Sequence, residues 1–96
     1  MDFQDVAKIA KALSDPTRLQ IYEMIAASPD TICSTVVSHC DVSPATISHH
    51  LRVLSDAGLI ETRRAGKFIH NRALPETMQA YTRALTRLSH VRPHRR

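Results

Sequence analysis

The residues whose types and spacing carry the most chemistry are Arg52, Arg63, Arg64 and Lys67. Three of them crowd one short stretch around Gly66. The fourth shares a segment with the small polar residues Ser43, Ala45, Thr46, Ser48 and His49. Cations packed at one turn repel one another, and phosphates relieve that repulsion by neutralising them. Small hydroxyls, an imidazole and an arginine on one surface offer hydrogen bonds to base edges in a major groove. Together these side chains suit recognition of a polyanion, and double-stranded DNA matches both halves. The plainer alternative is a solvated helix face beside a basic loop that only aids solubility.

Two elements must hold these groups. Ser43 followed by Pro44 is a hydroxyl cap with a first-turn proline, which opens a helix. Ile47, Leu51 and Leu54 recur at i, i+4 and i+7 and give that helix one apolar stripe. His50 falls on the flank of the stripe, while Ala45, Ser48, His49 and Arg52 point away from it. Gly58 suits the residue just past the helix end. Ile60 and Thr62, then Phe68 and Ile69, read as two short strands around a turn at Ala65-Gly66. Glycine there supplies the positive φ such a turn needs. The expected unit is a helix over Ser43–Ala57 followed by a hairpin over about residues 60–72, with Arg63, Arg64 and Lys67 at its tip and Arg72 just beyond.

The remaining chain supplies the frame. Residues 3–13 predict a first helix with Phe3, Val6, Ile9, Ala10 and Leu13 on one side. Asp15-Pro16 caps and starts a second, whose buried side is read as Leu19, Tyr22, Ile25 and Ala26. Thr31-Ile32 is a scrap of strand, and a third helix runs from about Ser34 to Cys40. With the Ser43 helix it makes a helix-turn-helix over about residues 34–57. Pro75 opens a fifth helix over about residues 76–91, on which Met78, Tyr81, Leu85 and Leu88 form a narrow seam. That seam meets either its own domain or a second copy; the second copy is expected here. The predicted fold is mostly α with a small β-hairpin wing: a winged helix-turn-helix of five helices, one domain over residues 1–96.

Charge is distributed to match. Residues 1–42 carry three Lys/Arg against six Asp/Glu, residues 43–72 five against two, and residues 73–96 five against one, for a net charge of +4. The positive charge thus collects on the helix-hairpin unit and the tail, as for a protein that meets nucleic acid. Hydrophobic residues make up 43% of the chain but aromatics only 4%, so the core must come from Leu, Ile, Val and Ala. No apolar run approaches the ~20 residues of a membrane span. The start, with Asp2 and Asp5, lacks a secretion signal. A cytoplasmic, nucleoid-associated protein is expected. No catalytic triad, phosphate loop or paired carboxylate stands out, and an enzyme is not expected.

The runs KALSDPTRLQIYEMI and SPATISHHLRVLSDAGLIETRRAGKFIHNRAL resemble the ArsR/SmtB family of winged-helix repressors over roughly residues 5–90. The most specific pieces are Asp15-Pro16-Thr17-Arg18-Leu19, Ser48-His49-His50-Leu51, and Gly58-Leu59-Ile60 ahead of Arg63-Arg64. The resemblance implies a homodimer built by the first and last helices, with Phe3, Val6, Met78, Tyr81, Leu85 and Leu88 at its interface. It also implies a recognition helix at Ser43–Ala57, a wing at Ile60–Arg72, and repression of an inverted-repeat operator relieved by an effector. Thr46, Ser48, His49 and Arg52 are then candidates for base or phosphate contact, with Ser43 and Ala45 beside them. Arg63, Arg64 and Lys67 are candidates for flanking phosphates.

No effector is legible. Arsenic-sensing members of that family carry Cys-x-Cys entering the third helix, where this chain reads Ile32-Cys33-Ser34. Cys33 and Cys40, placed at i and i+7 of one helix, would have Cα atoms ~10.5 Å apart, too far for a disulfide, which needs less than ~7 Å. They read as small core residues, with thiol redox sensing through Cys33 as the alternative. Zinc-sensing members use ligands on the last helix. Glu76, His90 and His94 are loosely reminiscent of these, but their spacing does not support a metal or any other cofactor. The second function class to weigh is a winged-helix module that binds an acidic protein.

Overall fold

The computed structural model describes residues 1–90. Five helices and a small sheet follow in the order α1 (Phe3–Ala12), α2 (Pro16–Ala26), β1 (Thr31–Ile32), α3 (Cys33–His39), α4 (Pro44–Asp56), β2 (Ile60–Ala65), β3 (Phe68–Ala73) and α5 (Pro75–Ser89). Val91 and His94 lie outside the described residues.

The starts of α1, α2 and α4 are set by side chains that satisfy free backbone N–H groups. Asp2 and Asp5 form a reciprocal capping box on α1. Asp15 accepts from Arg18 N–H at 2.9 Å at the start of α2, and Ser43 Oγ from Thr46 N–H at 3.2 Å at the start of α4. Pro16, Pro44 and Pro75 each open their helix. The end of α4 is equally defined. Gly58 takes φ +77°. Its N–H donates to Ser55 O and that of Leu59 to Leu54 O, both at 3.0 Å, which is the Schellman pattern. Leu54 and Leu59 are both buried, and this stop aims the chain into β2.

The sheet has the order β1-β3-β2, all antiparallel. β2 and β3 pair from Ile60↔Ala73 to Ala65↔Phe68, so the hairpin loop is Gly66-Lys67, one residue later than the sequence suggested. Gly66 has φ +62° and stands first in the loop, where a two-residue II′ turn needs glycine. The two-residue strand β1 anchors on the inner strand through Thr31↔Asn71 and Ile32↔His70.

The core joins Ile9 and Ala12 of α1, Ile21, Tyr22 and Ile25 of α2, Val36 of α3, Ile47, Leu51 and Leu54 of α4, and Leu59-Ile60. Cys33 and Cys40 are free and half-buried against it. One reading of α2 is corrected: Leu19 is 47% exposed, Ala26 is exposed too, and Ile21 is fully buried. The i, i+4 pair Ile21 and Ile25 sets the inward face, and Leu19, two residues from Ile21, lies ~200° round the helix. On α5, Ala84 is buried, and Met78 and Tyr81 pack partly on the chain's own core. Leu85 and Leu88 stay exposed, as does Phe3 of α1 at 82%.

Candidate nucleic-acid interface

Helix α4 is held from behind by its apolar stripe and by one polar junction. His50 is only 8% exposed. Its Nδ1 lies 3.1 Å from Arg18 Nη1, and its Nε2 lies 3.9 Å from Asp15 Oδ2. A guanidinium only donates, so Nδ1 accepts and the ring proton sits on Nε2, facing the Asp15 carboxylate. Burial, opposed by Asp15 and reinforced by Arg18, holds the His50 pKa below its ordinary value. Arg18 also donates through Nε to Ala12 O at 2.6 Å and through Nη2 to Lys11 O at 3.4 Å. It thereby closes the C-terminal carbonyls of α1. Asp15 in turn is held below the usual carboxylate range, first by the Arg18 backbone N–H. The Asp15-Pro16-Thr17-Arg18 and Ser48-His49-His50 motifs thus meet: one residue clamps the end of α1, the flank of α4 and its own helix cap.

With its back fixed, α4 turns Ala45, Thr46, Ser48, His49 and Arg52 to solvent. Ser43 is exposed as well, but its Oγ caps the helix and lies 2.9 Å from Thr46 Oγ1, so both hydroxyls are partly engaged. Ser48, Arg52 and Ser55 line a cleft between α4 and the sheet, with Thr62 and Ile69 opposite.

The hairpin separates residues that adjoin in sequence. Side chains alternate along a strand. Arg64 therefore shares the α4-facing side with Thr62 and Ile69, while Arg63 shares the outer side with Glu61, His70 and Arg72. Arg72 is not free: its Nη2 and Nε reach Glu61 Oε1 at 2.6 and 3.1 Å. His70 Nδ1 lies 2.7 Å from Asp30 Oδ2. Arg63, Arg64 and Lys67 are exposed and have no carboxylate within salt-bridge distance among the described residues. Sequence reading missed Phe68, an exposed ring at the tip with Lys67 Nζ 5.6 Å from its centroid. Its place in a strand beside a lysine was the available signal.

The metal and thiol candidates are not brought together. Glu76 lies in the first turn of α5 and His90 just past its end. Among the described residues no three His, Cys, Asp or Glu side chains group to hold a metal ion. Cys33 starts α3, where its Sγ accepts from the buried Asn71 Nδ2 at 3.3 Å. Cys40 is that helix's C-cap.

Known proteins share this fold. A profile described as a helix-turn-helix domain matches residues 13–63. A cadmium resistance transcriptional regulatory protein homolog from Staphylococcus aureus is 39% identical over 66 residues, 69% of this chain. The match covers 54% of that regulator's own length. A transcriptional repressor from Bacillus subtilis is 37% identical over 62 residues, 65% of this chain and 68% of that protein. Among solved structures, an ArsR-like transcriptional regulator from Rhodococcus is 31% identical with a TM-score of 0.81, covering 91% of this chain and 81% of that one. The chain belongs to the ArsR/SmtB family of winged helix-turn-helix transcriptional regulators.

Proposed function

We propose that the chain is a dimeric transcriptional repressor that binds an inverted-repeat operator and leaves it when an effector changes the dimer's geometry. The observation that carries the reading is the pairing of two surfaces. The polar outward face of α4 stands free, and beside it a hairpin holds three cations with no carboxylate partner among the described residues. Arg52 and His49 reach base edges, Thr46 and Ser48 reach bases or phosphates, and Arg63, Arg64 and Lys67 neutralise the flanking backbone. The dimer rests on Phe3, Leu85 and Leu88, exposed apolar residues on α1 and α5, which pack together in the fold. A second copy that covers them sets two α4 helices in successive major grooves, ~34 Å apart. An effector acts through α1 and α5 only if it binds one spacing of those helices better than another.

Unbiased DNA selection with the purified chain, with and without reductant and EDTA, tests this. An inverted repeat with half-sites about one turn apart supports the repressor, and a difference between conditions assigns thiol or metal sensing. Recovery of sequence-blind binding alone overturns it in favour of a protein-binding module.

A further inference from the structure

One stretch of the helix-turn-helix is short of cations. No Lys or Arg occurs between Arg18 and Arg52, and the acids Glu23, Asp30 and Asp41 fall in that interval. Helix α3, which in such a motif lies across the backbone, therefore carries no ammonium or guanidinium group. A helix in a major groove has a phosphodiester strand on each side, across a groove ~12 Å wide. The hairpin lies on the flank of α4 marked by Ser48 and Ser55, with Thr62 and Ile69 across the cleft and Arg64 on that same side of the strands. The opposite flank, marked by His49 and Val53, needs its own.

Helix α1 supplies them. Lys8, Lys11 and Arg18 line a groove against His49, Val53, Asp56 and Ala57 of α4. Lys8 and Lys11 are exposed and have no carboxylate within salt-bridge distance among the described residues. Asp56, at the far end of α4, is the carboxylate that lines the groove and bounds the cationic strip. Arg18 is spent on the Ala12 and Lys11 carbonyls and on His50, which leaves the two lysines free for a ligand. They also avoid the dimer face. Lys8 follows Phe3, and Lys11 follows Val6, by five positions, ~140° round the helix.

We infer that Lys8 and Lys11 form a second phosphate clamp, gripping the operator backbone on the side of α4 opposite the wing. This rests on the DNA-binding reading above. Helix α1 thus carries two surfaces, Phe3 and Val6 for a second copy and Lys8 and Lys11 for DNA. Any shift of α1 at the dimer interface then moves a phosphate contact directly. The plainer alternative is that the lysines are solvated and only complement the C-terminal dipole of α1.

The test compares the full-length wild type with a Lys8→Ala/Lys11→Ala double variant on the selected operator, over a series of salt concentrations. The slope of log affinity against log salt changes by about 0.9 for each phosphate contact. A dimer that loses four such contacts loses up to about 3.6 from the slope. Affinity near physiological salt falls at least tenfold, with the preferred sequence unchanged. The Lys8→Arg/Lys11→Arg variant restores both quantities. A double variant that remains a dimer by sedimentation and binds with wild-type affinity and slope overturns the clamp and leaves the repressor reading intact. A wild type that binds no duplex overturns both. If the Ala variant fails to fold, ethylation interference with wild-type protein decides. Interference on both strands bordering α4 supports the clamp, and interference on the wing side alone overturns it.

Discussion

Two cationic regions of this chain differ in what their charges touch. Arg18 sits at the junction of α1, α2 and α4, with two backbone carbonyls and the buried His50 as partners. Arg63, Arg64 and Lys67 sit on the hairpin with no carboxylate partner among the described residues. A guanidinium whose donors are satisfied inside the protein holds structure. Cations left unsatisfied at a solvent-facing turn are available to a ligand. Removing the first should destabilise the fold, and removing the second should only weaken DNA binding.

The largest effect expected is therefore from Arg18→Ala. It leaves Ala12 O and the acceptor of a buried histidine without their donor, while Lys11 O keeps the Ser14 hydroxyl and N–H. Hydrogen bonds to charged groups contribute about 1.5–3 kcal/mol each at most, and this residue makes several. A loss of about 3 kcal/mol is expected, with a thermal midpoint lower by more than 10 °C, roughly 4–8 °C per kcal/mol at this size. Calorimetry checks it. A midpoint within a few degrees of wild type would show that the junction is incidental.

Next comes Arg63→Ala/Arg64→Ala/Lys67→Ala, the counterpart on the hairpin. Stability should stay within about 0.5 kcal/mol, as for surface changes away from packed features. Binding should fall about a hundredfold, or about 2.7 kcal/mol, equally for all sequences and with a shallower salt dependence. Thermal melts and titrations on the same samples separate the two readouts. A triple variant that melts early but binds normally would reverse the comparison. Arg52→Ala sharpens it further. If Arg52 reads a base, its loss costs about 1–3 kcal/mol on the preferred operator and relaxes selection at one position. A uniform loss across sequences would instead place Arg52 on a phosphate.

Much of the fold was legible because its signals are local. Asp15-Pro16 and Ser43-Pro44 are caps followed by prolines, and Gly58 and Gly66 take the positive φ found among the described residues. The α4 stripe also needed only near neighbours to be read. The junction was not legible, because Arg18 meets a carbonyl six positions back and a histidine 32 positions on. Nothing in the local pattern marks that pairing, and His50 read only as a flank residue. Leu19 was misplaced for a related reason: α2 contacts both α4 and β3, and three apolar residues in four positions do not say which way each points. On the hairpin, the composition placed the cations at the tip but not on opposite sides. That division follows from the register of Arg63 with His70 and Arg64 with Ile69.

The smallest effect expected tests the protonation state of the junction itself. His50 fits as the neutral ring, since protonating Nδ1 would remove its acceptor and set a positive N–H against Arg18. Its folded pKa lies below the ordinary 6.5, through burial first. The group therefore contributes its stability above pH 6.5, and that contribution is lost as pH falls through the lowered value. Asp15, lowered from 3.8, loses its contribution only as pH falls through its own, lower value, so the two transitions occur in order. Wild-type stability should decline between pH 6.5 and the carboxylate range. His50→Asn, which keeps an acceptor for Arg18 but does not titrate, should decline less over the same interval. The two proteins differ at position 50 alone, so the difference between the two curves belongs to His50. Parallel curves would mean that the junction accepts the imidazolium, with Asp15 at 3.9 Å compensating for Arg18, and that the region is less committed to one charge state than its geometry requires.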